Sequence, residues 1–248
     1  MKLIRESVSL FSLSGELNPT HQEPLAEYIE SCGRICYQSS HKVGSGSAIK
    51  FVNNLIKSGH HSVLEHANVS AKIVTNRGVS LEIIRHRLCA FSQESTRYCN
   101  YSGDRFGNEL TFIIPVWVTD EIAEYVQKAM PGDGTRCPDQ PAYRWFQTLE
   151  RIEKEYLNIL SDGWTPEKAR EILPNSLKTE LVMTTNLRQW RHVLAQRLDR
   201  KCHPQMRYLM SLIAEKFLDS IPIFFEDIVT KDQLIDIKEE LGNNNERI

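Results

Sequence analysis

Alternating apolar and polar side chains predict two strands that lie far apart in the chain. The alternation runs over residues 67–75 and again over residues 177–185. A period of two is typical of a strand that buries one face. A short apolar run within residues 2–11 predicts a third strand. We expect the strands at 67–75 and 177–185 to lie in one sheet.

Apolar residues that recur every three or four positions predict helices around these strands. Gly59 is suited to end one of them, and Thr165 followed by Pro166 is suited to begin another. Ser62 and Glu65 have the spacing of a capping box at a further helix start. The predicted helices cover residues 24–36, a segment ending at 59, and residues 79–89, 141–161, 166–173, 189–199 and 204–219.

The order of these elements predicts an α+β fold. Few strands occur among many helices, and no regular alternation of strand and helix is visible, which favours a mixed or antiparallel sheet flanked by helices. No repeat divides the chain, so we expect a single domain over residues 1–248. Composition further predicts a surface loop at 131–135 and a frayed tail at about 240–248.

Length and charge exclude several classes of protein. With 248 residues, of which 41% are hydrophobic, the chain is long enough to bury a sizeable core. Its apolar runs are far shorter than the roughly 20 residues that a membrane span needs. The N-terminus has no signal-peptide pattern, so we expect a cytoplasmic protein. A net charge of -2 argues against a protein that coats nucleic acid electrostatically.

Arginine is concentrated in a few segments. Helical spacing places Arg197 on an apolar face, and it places Arg85 on a face with Leu81, Ile84 and Leu88. A buried guanidinium needs a carboxylate, a carbonyl or a bound anion as its partner. Spacing leaves open whether that partner is one of the chain's own carboxylates or a phosphate. The clusters are Arg85 to Arg87 with Arg97, then Arg170, then Arg188, Arg191, Arg197, Arg200 and Arg207.

Histidines and cysteines raise the question of metal binding or nucleophilic catalysis. His61 precedes Glu65 by four residues, which differs from the His-Glu-x-x-His and His-x-x-Glu-His spacings of zinc sites. The six cysteines form no Cys-x-x-Cys pair, so we expect free thiols that pack as small apolar groups. A zinc hydrolase and a nucleic-acid- or nucleotide-binding module are the alternatives to a metal-free enzyme.

One motif is specific enough to indicate a family. Arg85-His86-Arg87, followed after seven residues by Ser95, reproduces the Arg-His-Arg-x7-Ser motif of the flavin-dependent thymidylate synthases. Segments resembling that family occur in the expected order over about residues 30–215. They are 59–66, 92–98, 169–174, 186–188, Arg197 and 203–205.

The resemblance implies an activity and an assembly. Members of this family convert dUMP to dTMP, taking a methylene group from methylenetetrahydrofolate and a hydride from NADPH through bound FAD. Their sites lie at the subunit interfaces of a homotetramer. By this resemblance the chain would be a methyltransferase that binds neither nucleic acid nor membrane.

The resemblance also assigns roles to individual residues. Arg197 would be catalytic, because it would face the uracil ring and favour the form whose C5 is nucleophilic. Ser95 would be a ligand of the substrate and not a nucleophile, since no neighbouring base is apparent. The cofactor residues would be Ser62, Arg85, His86, Arg87, Gln93, Asn186, Arg188 and His192. The substrate residues would be Glu82, Arg85, Gln93, Glu94, Ser95, Thr96, Arg97, Arg170 and Arg197.

Overall fold

A computed structural model describes residues 1–128 and 137–242 of the chain. The predicted loop at 131–135 and residues 243–248 of the predicted tail lie outside the described residues. The strands are β1 (Lys2–Ile4), β2 (Ser7–Ser12), β3 (Gly15–Glu16), β4 (Asn68–Asn76), β5 (Ala90–Gln93), β6 (Thr111–Ile113) and β7 (Lys178–Asn186). The α-helices are α1 (Gln22–Arg34), α2 (Ser47–Lys57), α3 (Arg77–Ile83), α4 (Asp120–Lys128), α5 (Gln140–Ser161), α6 (Pro166–Ala169), α7 (Leu187–Arg197), α8 (Pro204–Ser220) and α9 (Lys231–Gly242).

A five-stranded sheet organises the molecule, with the order β3-β2-β4-β7-β5 and antiparallel neighbours throughout. The two strands predicted from alternation, β4 and β7, pair along their whole length. A second sheet holds the parallel pair β1 and β6. The predicted α+β fold, with an antiparallel sheet flanked by helices, is confirmed.

The single strand predicted over residues 2–11 is wrong, because the chain changes sheets at Arg5 and Glu6. β1 pairs with β6, whereas β2 pairs with β4. At the break the Arg5 guanidinium donates to the Val118 carbonyl at 2.7 Å and to the Asp120 carboxylate at 2.6 Å. These contacts tie the chain to the segment that leads into α4.

The helix predicted over residues 79–89 ends at Ile83. Its inner face carries Val79 and Ile83, both buried. Leu81 lies on the outer face of α3, and Ile84 and Leu88 follow the end of the helix; these residues do not reach the core and are 54%, 40% and 78% exposed. Arg85 is also exposed, so the predicted entry of its guanidinium into the core is wrong.

The main core lies between the five-stranded sheet and helices α1, α2, α7, α8 and α9. Trp190 of α7 is fully buried, and its indole N–H donates to the Val69 carbonyl of β4 at 2.9 Å. Tyr156 and Leu149 of α5 form a second cluster with Phe112 of β6. No helix in the described part of the chain is long and apolar enough to span a membrane.

Glu6 is a buried acid at the junction of the two sheets. Thr75 of β4 donates a hydrogen bond to one carboxylate oxygen, and the other has no partner among the described residues. Burial raises the pKa of Glu6 to about 7, although the hydrogen bond from Thr75, the polar side chain of Gln205 and the charge of Arg5 oppose the shift. Ionisation of Glu6 is therefore unfavourable in the folded chain.

The first prediction concerns how the free energy of unfolding depends on pH. Since the folded-state pKa of Glu6 lies above the ordinary value of 4.5, the folded state binds more protons between these values, and stability falls as pH rises through 7. Glu6→Gln should remove this dependence. From about pH 5 to about pH 8, the wild-type chain should lose up to about 3 kcal/mol more of its free energy of unfolding than the variant.

Urea unfolding at both pH values measures this difference. Glu155→Gln is the matched control, because Glu155 is exposed on α5. Equal pH slopes for wild type and Glu6→Gln would contradict the prediction.

Candidate active site

Residues at the start of α7 line an open cavity. Asn186 ends β7 and caps α7, since its Oδ1 accepts a hydrogen bond from the Gln189 backbone N–H at 2.8 Å. The cavity has a volume of about 590 Å³. Its lining combines amide, imidazole, guanidinium and apolar groups, contributed by Glu65, Leu88, Asn186, Arg188, Gln189 and His192.

The segment before β4 contributes to the same cavity. The capping box predicted for Ser62 and Glu65 is wrong, because residues His61–His66 form a 3₁₀ helix whose start has no side-chain cap. The Glu65 carboxylate instead accepts a hydrogen bond from Arg188 at 2.5 Å. Ser62 is exposed on the same 3₁₀ helix.

A second group forms at the end of α7, where Arg197 is 21% exposed. Its Nε donates to Nε2 of His86 at 2.9 Å. Its outer nitrogens make longer contacts of 3.3 and 3.4 Å with the carbonyl and the carboxylate of Glu82. The predicted apolar face of α7 is confirmed by Trp190, Val193 and Leu194, which are fully buried.

His86 connects this second group with the cavity. Burial lowers the pKa of His86 to about 4, and the charges of Arg197 and His192 contribute in the same direction. The imidazole is therefore neutral near pH 7, and its Nε2 accepts the Arg197 hydrogen bond. His192 lines the cavity, so the neutral ring of His86 interacts with one residue of each group, Arg197 and His192.

A third group consists of the turn after β5 and the neighbouring helix α6. Ser95 Oγ accepts a hydrogen bond from the Arg97 backbone N–H at 3.4 Å, and Thr96 is buried. The Arg97 guanidinium pairs with Glu167 of α6 at 2.9 Å. Arg170 follows α6 directly and pairs with Glu171 at 3.7 Å. These arginines are 48% and 38% exposed.

Two residues predicted to contact the ligands have side chains bound within the protein. The Gln93 amide donates to Ser80 Oγ at 2.9 Å and to Thr179 Oγ1 at 3.1 Å. The Glu94 carboxylate accepts hydrogen bonds from Lys178 and Tyr101.

The structure thus gathers most of the predicted site residues into three groups. Arg85 and Arg87 are exposed on the turn that follows α3. Within residues 1–128 and 137–242, no hydrogen bond or ion pair joins the group of Arg97 to the group of Arg197.

Two of the clustered arginines have structural roles. Arg191 is buried and donates to both carboxylate oxygens of Asp227, at 2.7 and 2.6 Å. Arg207 is buried and pairs with Glu240 at 2.9 Å. Spacing left open whether the partner of a buried arginine is a carboxylate of the chain or a phosphate. For Arg191 and Arg207 it is a carboxylate of the chain.

The cysteines and histidines form neither a disulfide nor a metal cluster. All six cysteines are free thiols. Burial raises the pKa of Cys89, Cys99 and Cys202, which makes each a weaker nucleophile near neutral pH. In the part of the chain that the structure describes, no group of three or more His, Cys, Asp or Glu side chains is placed to hold a metal ion.

Three polar residues outside the predicted site contact site residues. Glu65, which the sequence places in a capping box, pairs with Arg188. Lys178 and Tyr101 both contact Glu94. The alternation of β7 contains a signal for Lys178, because Lys178 and Glu180 lie on the face opposite Leu177, Thr179 and Leu181.

Comparison with known proteins identifies the family. A family model described as "Thymidylate synthase complementing protein" matches residues 20–223. A "Flavin-dependent thymidylate synthase" of Mycobacterium avium is 31% identical over 206 residues, covering 80% of this chain and 78% of the relative. One from Mycolicibacterium vanbaalenii is 31% identical over 211 residues, covering 82% and 79%.

A solved structure is similar in fold. It is the UMP/dUMP methylase PolB from Streptomyces cacaoi bound with 5-Br dUMP, with a TM-score of 0.67 and 24% sequence identity. The similarity covers 91% of this chain and 96% of that one. The resemblance based on the Arg-His-Arg-x7-Ser motif is confirmed. The chain therefore belongs to the thymidylate synthase complementing protein family and, within it, to the flavin-dependent thymidylate synthases.

Proposed function

We propose that this chain converts dUMP to dTMP, with methylenetetrahydrofolate as the methylene donor and NADPH as the hydride donor. The observation that carries the proposal is neutral His86, which accepts a hydrogen bond from Arg197 and interacts electrostatically with His192 of the cavity at the start of α7. This arrangement supports a uracil site beside a flavin site. The relatives named flavin-dependent thymidylate synthases, and a similar fold bound to a dUMP analogue, support the same reaction.

The cavity at the start of α7 suits FAD. A bound FAD would supply hydride transfer from NADPH to the methylene group carried on C5 of the pyrimidine, which thereby becomes the methyl group of dTMP. Arg188 offers charged donors for the pyrophosphate, while Asn186, His192 and Ser62 offer polar groups for the flavin and adenine edges. Glu65 forms an exposed ion pair with Arg188, which is weak enough for the pyrophosphate to replace it. Exposed Arg85 and Arg87 would contact the same cofactor.

The turn after β5 suits the dUMP phosphate. Ser95 and Thr96 offer hydroxyl and amide groups, and Arg97 and Arg170 offer positive charge. The carboxylate partners of these arginines belong to exposed ion pairs, which are weak. A phosphate that carries nearly two negative charges would therefore displace Glu167 and Glu171 from them.

Arg197 would act on the uracil ring. Its Nε is occupied by His86, whereas its outer N–H groups make only long contacts with Glu82. Those groups would donate to the uracil oxygens and stabilise the enolate-like form of the ring, whose negative charge makes C5 nucleophilic toward the methylene carbon. Because His86 is neutral, it orients Arg197 without adding a competing positive charge.

A complete site would need more than one copy of the chain. No hydrogen bond or ion pair joins the Arg97 group to the Arg197 group within the described residues, which supports a site built from two subunits. Exposed Leu81, Ile84 and Leu88 lie beside the Arg197 group and support a subunit contact there. We therefore include a homotetramer in the proposal.

The second prediction tests the shared site by spectroscopy. The purified chain should bind FAD and show the visible absorbance bands of a flavin. Adding dUMP should shift these bands, because the uracil would lie against the flavin. UMP and inorganic phosphate are the controls for the sugar and the phosphate. A chain that cannot be loaded with FAD would contradict the proposal.

The third prediction concerns Arg197. Arg197→Ala should lower kcat by roughly 10²- to 10³-fold, because it removes preorganised donors from the reacting ring. FAD binding should not change. The matched control is Arg200→Ala, since Arg200 lies three residues further on and is 83% exposed. A wild-type kcat in Arg197→Ala would place the catalytic charge elsewhere.

The fourth prediction concerns Arg188. Arg188→Ala should weaken FAD binding by roughly 10- to 100-fold, as expected for the loss of a charge-assisted hydrogen bond to phosphate. Fluorescence titration of the apoprotein measures this loss. Arg144→Ala is the control, because Arg144 is exposed on α5. An unchanged FAD affinity would remove Arg188 from the cofactor site.

A further inference from the structure

The side chain of Glu94 is bound within the protein, although the residue lies in the turn that we propose for dUMP. Only 11% of the side chain is exposed. One carboxylate oxygen accepts from Tyr101 Oη at 2.7 Å, and the other accepts from Lys178 Nζ at 3.0 Å and from the Glu180 backbone N–H at 3.3 Å. Both oxygens are therefore occupied by protein donors.

The partners of Glu94 are themselves held in place. Lys178 begins β7, is 18% exposed, and also pairs with Glu180 at 2.6 Å. Tyr101 is buried against Phe106, with ring centroids 5.2 Å apart. Burial and the hydrogen bond to Glu94 raise the pKa of Tyr101, so the hydroxyl stays protonated and donates.

Charge supports the same arrangement. Burial alone would lower the pKa of Lys178, but its hydrogen bonds and charge interactions with Glu180 and Glu94 raise it. The lysine is therefore positive near neutral pH, and Glu94 has a charged partner. A partly buried carboxylate with three protein donors is held more firmly than an exposed one.

This network lies directly before the residues that would bind phosphate. The Glu94 backbone N–H donates to the Glu180 carbonyl at 2.8 Å and continues the pairing of β5 with β7 by one residue. Ser95, Thr96 and Arg97 follow at once. Main chain and side chain of Glu94 thus tie the start of the turn to β7, and the direction in which the turn leaves the sheet depends on them.

We propose that Glu94 does not contact dUMP and that Lys178, Tyr101 and Glu94 are positioning residues that hold the Ser95–Arg97 turn in its phosphate-binding conformation. The inference rests on the proposed function, because it concerns the same substrate. It adds Lys178 and Tyr101 to the residues that determine dUMP affinity, and it replaces the direct contact expected of Glu94.

The fifth prediction compares single variants of the FAD-loaded chain. Lys178→Met leaves the Glu94 carboxylate without its charged partner and should raise the Kd and the KM for dUMP about tenfold. Tyr101→Phe removes one donor and should raise them roughly threefold. FAD affinity should be unchanged in both, and kcat at saturating dUMP should change less than KM.

Lys72→Met is the matched control. Lys72 lies on β4, is 54% exposed, and pairs with Glu180 at 3.2 Å, so the variant removes a lysine from the same ion-pair cluster without touching Glu94. Its dUMP affinity should equal that of the wild type. A comparable loss in Lys72→Met would indicate general damage to the sheet and would overturn the inference.

A double variant separates positioning from direct contact. If Glu94 acts through Lys178, the Glu94→Gln and Lys178→Met double variant should bind dUMP no more weakly than the weaker single variant. If Glu94 contacts dUMP directly, Glu94→Gln should weaken binding while Tyr101→Phe does not, and the two losses of the double variant should multiply. That second pattern would overturn the inference.

Failure of a variant to fold and failure of the wild type to bind dUMP have different meanings. Should Lys178→Met fail to fold, Tyr101→Phe and Glu94→Gln provide the comparison. Lys178→Arg keeps the positive charge beside Glu94 and should therefore bind dUMP more tightly than Glu94→Gln does. Wild-type dUMP affinity in both Tyr101→Phe and Glu94→Gln would then contradict the inference. A wild-type chain that binds FAD but no dUMP would contradict the proposed function itself, before any variant is compared.

Discussion

The antiparallel pairing of β4 with β7 is the constraint on which the positions of the functional side chains depend. The strands are paired from Asn68 opposite Asn186 to Asn76 opposite Lys178. Each strand ends in an asparagine that caps the following helix, with Oδ1 accepting an N–H at 2.8 Å in both cases. Because the strands are antiparallel, α3 and α7 begin at opposite ends of the pair.

This geometry explains how the Arg197 group forms. α3 and the turn after it bring Glu82 and His86 to the end of α7, where Arg197 lies. Trp190 presses α7 against β4 and fixes the rotation of the helix. That rotation leaves Arg188 and His192 at the cavity. One strand pair and two capped helices therefore set both the proposed uracil site and the proposed flavin site.

Carboxylates decide which arginines are available for ligands. The buried Arg191 guanidinium donates to both carboxylate oxygens of Asp227 and to the Phe224 carbonyl, and a buried charge that loses such partners is costly. Arg97 and Arg170 have exposed carboxylate partners, and exposed ion pairs contribute little. All of these residues are arginines, so burial and the carboxylate partner determine the role of each guanidinium. A buried pair stabilises the fold, whereas an exposed pair leaves the guanidinium available to bind a phosphate.

Sequence alone determined the elements whose signal is local. Alternation identified β4 and β7, helical spacing identified α5, α7 and α8, and the Arg-His-Arg-x7-Ser motif identified the family. Local sequence patterns gave wrong predictions where contacts with residues distant in the sequence determine the structure. The break at Arg5 depends on Asp120, the role of Glu65 depends on Arg188, and the end of α3 leaves an apolar stripe outside the core.

The same distinction applies to the candidate site. The motif marks Gln93, Glu94 and His86 as important, but it carries no information on where each side chain points. Tertiary structure turned Glu94 toward Lys178 and placed a neutral His86 against Arg197, because burial and hydrogen-bond partners come from segments about 80 to 110 residues away. The sequence specifies which residues are present. The burial of Glu94 and His86 and their hydrogen-bond partners are determined only when these distant segments pack together.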